Sequence, residues 1–209
     1  MLRSKESHAF LIILLLISSG AEASLISNGS FESATIDPGA FILVGVGSTA
    51  IDNWTVIQAD IDYIGTGWDA SDGLRSIDLG GGIGAAGGIE QTFLTTPGAS
   101  YLVSFDLAGN WGGVPTIKTV TVAADGQSAD FTFDVTGKSA MNMGWINVLW
   151  KFTADDNSAT LQFLTSDTNY GPAIDNVSVN IEAVPIPPAV WLFGSGLLGL
   201  VGLARCKSA

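Results

Sequence analysis

Thr116-Ile-Lys-Thr-Val-Thr-Val-Ala123, Asp125-Gly126 and Ala129-Asp-Phe-Thr-Phe-Asp-Val135 together point to an all-β chain. Val120 and Val122 alternate with threonines in the first flank, and Phe131, Phe133 and Val135 alternate with Thr and Asp in the second. A period of two is the signature of a half-buried strand. Asp-Gly between two such runs signals a two-residue turn, because both central residues must adopt positive φ. The stretch therefore predicts a β-hairpin closed around Asp125-Gly126.

Similar runs recur on both sides: Trp54–Ile57, Ile61–Ile64, Leu74–Leu79, Gly88–Leu94, Tyr101–Leu107, Trp145–Phe152, Ala159–Leu164 and Ala173–Ile181. Asp72-Gly73, Pro97-Gly98, Thr136-Gly137 and Asp155-Asp156-Asn157 supply turns between them. Short strands separated by frequent turns predict a sandwich or barrel. No amphipathic helical pattern interrupts them, and no linker divides them into two domains. Leu79–Gly88 is glycine-rich, but a strand pattern follows it where a phosphate-binding loop needs a helix. It reads as a flexible inter-strand loop.

The two ends differ from the middle. Arg3 and Lys5, the apolar run Ala9–Ile17 and Ala21-Glu22-Ala23 have the form of a secretory signal peptide, residues 1–23. Residues 24–183 are then the folded domain. Residues 184–209 hold Val184-Pro185-Ile186-Pro187, an apolar run at 189–204, and Arg205 and Lys207. Sixteen residues make about 24 Å of helix, slightly short of a comfortable span. The basic end acts as a membrane stop on the cytoplasmic side, which places the domain outside.

The tail resembles the bacterial PEP-CTERM sorting signal, with Val184–Pro187 at the motif position and the name-giving glutamate absent. That resemblance implies an exosortase-type processing enzyme as partner. It also implies transient inner-membrane anchorage in a Gram-negative-type bacterium, followed by residence at the cell surface or in the extracellular matrix.

The composition of 24–183 excludes much chemistry. His8 and Cys206, the only histidine and cysteine, both lie outside it. Disulfides, Ser-His-Asp or Cys-His catalytic units and His/Cys zinc sites are therefore ruled out for the domain. Eighteen acidic residues face only Arg75, Lys118, Lys138 and Lys151. Nucleic acid would be repelled, whereas Ca²⁺ would be attracted. Carboxylates are plentiful, as at Asp60 with Asp62 and Asp69 with Asp72, but no pattern selects a catalytic acid, and no enzyme is predicted.

Three motifs carry a second resemblance: Ser27-Asn-Gly-Ser-Phe-Glu32, Tyr101–Asn110 around Phe105-Asp106, and Gly171-Pro-Ala-Ile-Asp-Asn-Val-Ser-Val179. Their order resembles the choice-of-anchor C family and a related plant cell-wall family. It implies a galactose-binding-like jelly-roll β-sandwich, here flanked by an N-terminal signal helix and a C-terminal transmembrane helix. It also implies a structural Ca²⁺ bridging the first and last strands through Glu32 and Asp175. Tyr170 stands where the plant relatives carry a cysteine.

Aromatic rings cover the apolar faces of sugars. Trp54 and Trp145 fall in strand patterns and are expected in the core. Trp68 and Trp111 fall in polar or glycine-rich loops, where exposure is expected. Tyr170, near Asp167 and Asn169, is a third candidate contact. The function expected is a non-catalytic module that binds extracellular polysaccharide. The alternative is a purely structural matrix protein with no sugar ligand.

Overall fold

A computed structural model describes residues 23–182, apart from 83 and 85. The signal peptide, the motif Val184–Pro187, the apolar run 189–204 and the stop residues Arg205 and Lys207 lie outside the described residues.

Eleven strands form among the described residues: β1 (Phe41–Val44), β2 (Thr55–Ile57), β3 (Ile61–Ile64), β4 (Ser76–Asp78), β5 (Gly88–Leu94), β6 (Ser100–Gly109), β7 (Ile117–Ala124), β8 (Gln127–Asp134), β9 (Ile146–Thr153), β10 (Ser158–Thr165) and β11 (Pro172–Ile181). They make a six-stranded sheet, β1-β3-β4-β11-β6-β9, and a five-stranded sheet, β2-β5-β10-β7-β8. All pairings are antiparallel. Only β3–β4 and β7–β8 follow one another within a sheet. Every other connection crosses between sheets, so the chain winds around the core.

The predicted hairpin is β7–β8, with Ala124 opposite Gln127 and positive φ at Asp125 (48°) and Gly126 (70°). Alternation then turns Val120, Val122 and Ala124 inward together with Lys118. Strand β1 was not predicted. Phe-Ile-Leu-Val lacks alternation because it is an edge strand with only β3 beside it, and three of its four side chains are exposed.

Aromatic rings join the sheets. Phe105 of β6 meets Phe163 of β10 edge-on at 5.0 Å between ring centroids. Trp54 lies 6.4 Å from Phe163, and Phe31 lies 5.3 Å from Trp54. Trp54 is buried as expected, and its Nε1 donates to the Asn28 carbonyl at 2.9 Å. Trp145, also expected in the core, is half-buried.

The first and last motifs meet. Val177 N donates to the Gly29 carbonyl, and Leu25 N to the Val179 carbonyl. β11 shifts register between Asp175 and Ser178, where Asn176 takes positive φ. The bulge keeps Ile174 and Val179 in the core on either side of the shift.

Because Phe163 is fully buried between the rings of Trp54 and Phe105, Phe163→Ala should cost about 3–5 kcal/mol. Urea unfolding checks this: the midpoint should fall and the slope should stay unchanged.

Candidate functional site

The connection between β3 and β4 does not simply turn. Residues 65–75 lie as a strap across the outer face of the six-stranded sheet. Trp68 Nε1 donates to Ser76 Oγ on β4 at 2.8 Å. The Ser71 and Asp72 amides donate to Asp175 Oδ2 on β11 at 2.7 and 2.9 Å. Ser71 Oγ reaches Asp106 Oδ2 on β6 at 2.5 Å. Trp145 Nε1, just before β9, donates to the Asp69 carbonyl at 2.9 Å. From the other side, Glu32 Oε1 accepts the Leu74 and Arg75 amides at 2.7 and 2.8 Å.

The strap covers facing like charges: Asp175 pairs with Asp106 across β11–β6 beneath it, while a second such pair, Asp62 with Asp78 across β3–β4, lies beside it. Like charges directly opposite on a sheet are destabilising. Burial, chiefly, raises the Asp175 pKa to about 7, although three amide hydrogen bonds pull it down. Burial, then the Asp78 charge, raises Asp62 to about 6.

Beside the strap lies a cleft of about 760 Å³. Trp68, Trp111 and Tyr170, the three candidates read from sequence, all line it. They come from three separate loops. Trp68 and Trp111 meet nearly edge-on at 5.9 Å. Their exposure differs from expectation. Trp68 is only 8% exposed, because its indole N–H is bound to Ser76 and Trp111 covers its ring. Trp111 is half-buried, and Tyr170 is 44% exposed. Asp62, Asn110, Asn169 and Phe41 complete the lining that matters chemically. Phe41 carries no sequence signal because its edge strand shows no alternation, and Asp62 is one of many carboxylates in the sequence.

Asp78 holds these loops together and is fully buried. Its Oδ1 accepts the Gly80 and Gly171 amides, each at 2.9 Å, and its Oδ2 accepts Asn110 Nδ2 at 2.8 Å. Gly80 and Gly171 pack back to back, with no room for a Cβ on either. Within the glycine-rich segment Gly80, Gly81 and Gly87 are close-packed and Gly80 and Gly82 line the cleft, whereas Gly84 has open space around it. Burial raises the Asp78 pKa, opposed by these hydrogen bonds and by Lys118. Lys118 is itself buried, and it donates to the Gly113 carbonyl at 2.9 Å beneath the Trp111 loop.

Glu32 and Asp175, the expected calcium ligands, both serve the strap. Asp175 is fully buried; its Oδ2 accepts two strap amides, and its Oδ1 accepts Asn176 N at 2.7 Å. Among the described residues, no three His, Cys, Asp or Glu side chains gather as a metal-binding group. The geometry suits N–H donors at this pair.

Two outcomes are expected. Asp78→Ala should orphan three buried donors and cost about 2–4 kcal/mol, read by urea unfolding. The raised carboxylates also set a pH dependence. Between about pH 4 and 7 the folded form holds protons that the unfolded chain has released. Stability should therefore fall as pH rises through that window, and the melting temperature should be higher at pH 5 than at pH 8.

Comparison with known proteins places the chain. A stretch of Halomucin from Haloquadratum walsbyi is 29% identical over 202 residues, covering 89% of this chain; the chain spans 2% of the length of Halomucin. Among solved structures, the chain is similar to TmCBM61 in complex with β-1,4-galactotriose, with 12% identity, a TM-score of 0.46, and coverage of 77% of this chain and 100% of the other. It is also similar to the CBM22-1 xylan-binding domain from Paenibacillus barcinonensis Xyn10C, with 12% identity, a TM-score of 0.47, and coverage of 68% and 95%. Residues 24–180 match the family described as "Protein of unknown function (DUF642)". That match runs through the sandwich from its first segment into its last strand, and the chain belongs to the DUF642 family.

Proposed function

We propose that this protein is an exported, non-catalytic module that binds polysaccharide in the cleft of Trp68, Trp111 and Tyr170. The convergence of three rings from three loops on one cleft carries the reading. Rings can cover the apolar faces of a sugar, while Asp62 and Asn169 beside them can bind hydroxyls. A volume of about 760 Å³ suits a short run of sugar units. Asp62 is the one carboxylate among the described lining residues. Glycoside hydrolysis ordinarily uses two, which supports a binding role.

Delivery is part of the proposal. The leader at 1–23 and the tail at 184–209 support export, with a PEP-CTERM-type signal handled by an exosortase-type enzyme. The motif order supports a choice-of-anchor C type of galactose-binding-like jelly roll that ends at the surface or in the matrix.

A second reading, a structural matrix protein without a sugar ligand, is favoured by edge strand β1. Phe41, Ile42 and Leu43 are 62%, 39% and 49% exposed there. An open apolar edge invites pairing with another strand. Calcium at Glu32 and Asp175 stands as a separate proposal, supported by the family resemblance, against the amide-capping role that the geometry favours.

Affinity electrophoresis in polysaccharide gels tests the main reading. Trp111→Ala and Tyr170→Ala should each weaken binding about tenfold, or about 1.4 kcal/mol, without loss of fold. Undiminished binding by both variants would move the ligand elsewhere. If the capping role holds, EDTA should leave the melting temperature unchanged. A drop of several degrees, restored by Ca²⁺ alone, would establish the ion.

A further inference from the structure

We infer that Asp62 makes the cleft selective for uncharged glycans, accepting hydroxyl hydrogens from a neutral sugar and turning away chains that carry their own anions. The inference rests on the polysaccharide-binding reading and adds the ligand class.

Asp62 lines the cleft and is half-buried. Among the described residues its carboxylate takes part in no hydrogen bond, and its oxygens are open to the cleft. The other polar groups there are largely committed. Asn110 gives its amide to Asp78 and accepts Gly112 N, and Asn169 Oδ1 accepts Gly84 N. An acceptor with no partner, set among aromatic rings, is what a sugar hydroxyl requires.

The charge balance supplies the selectivity. All four cations of 24–183 are placed elsewhere. Lys118 is buried under the Trp111 loop, donating to Gly113 O. Arg75 pairs with Asp37 at 3.4 Å. Lys138 lies 5.6 Å from the centre of the Phe133 ring. Lys151 pairs with Glu182. None lines the cleft. Directly across the strand from Asp62 stands Asp78, a second acid. A uronate or sulfate entering the cleft would meet Asp62 with no counter-charge, in a site where water is partly excluded. The Asp62 pKa of about 6 leaves it ionised above neutrality.

The test uses the full chain in mild detergent at pH 8 and moderate salt. The probes are neutral polymers (galactan, xylan, β-glucan, dextran), the acidic polymers alginate and polygalacturonate, and carboxyl-reduced forms of those two. Saturable binding should be confined to uncharged polymers. Asp62→Ala should weaken it at least tenfold, and Asp62→Asn, which keeps an acceptor oxygen, should weaken it less. An acidic polymer bound as tightly as its carboxyl-reduced form would overturn the inference, as would an Asp62→Ala variant of unchanged affinity. Silence across the whole panel, from a chain with native circular dichroism, would instead remove the polysaccharide reading on which the inference depends.

Discussion

Buried carboxylates that face each other across strands are the constraint around which one side of this molecule is organised. Asp175 opposite Asp106 and Asp62 opposite Asp78 would push their strands apart if nothing covered or bound them. The sheet answers differently at each pair. At the first, the strap lowers its amides and the Ser71 hydroxyl onto the acids. At the second, Asp78 is wrapped by loop amides, while Asp62 is left facing open space. That asymmetry separates a structural acid from one available to a ligand.

The cleft follows from the same arrangement. The strap brings Trp68 to the sheet surface, Asp78 draws in the Trp111 and Tyr170 loops, and Gly80 against Gly171 lets those loops approach. Removing the Asp78 acceptor would therefore disturb three cleft walls together, whereas removing the Tyr170 ring would alter the open surface of the cleft and its packing on Gly112 and Gly113.

Much of this was readable from sequence, and the exceptions have physical causes. Strands β3 and β5 were predicted with their observed limits, because two-residue periodicity needs only a core on one side. β1 escaped because an exposed edge imposes no alternation. The three aromatic candidates were found from loop composition, and the structure gathers them. Their depth was misjudged, since only the fold provides Ser76 as a partner for the Trp68 indole. Asp62 could not be singled out among eighteen acids, as its distinction is a missing partner. The strap was invisible for the same reason: Gly65–Arg75 has the composition of any polar loop, and its order comes from carboxylates far away in the chain.

The pairing of Leu25 with Val179 has a consequence for how such a domain sits in a larger assembly. The chain enters and leaves side by side, at the end of β11 remote from Pro172, where the cleft begins. Nine residue steps at ~3.3 Å put about 30 Å between that exit and the cleft. The unit is a bead with both threads on one side. It can be spliced into a longer chain, repeated, or tethered to a surface, and its cleft stays turned away from the attachment each time.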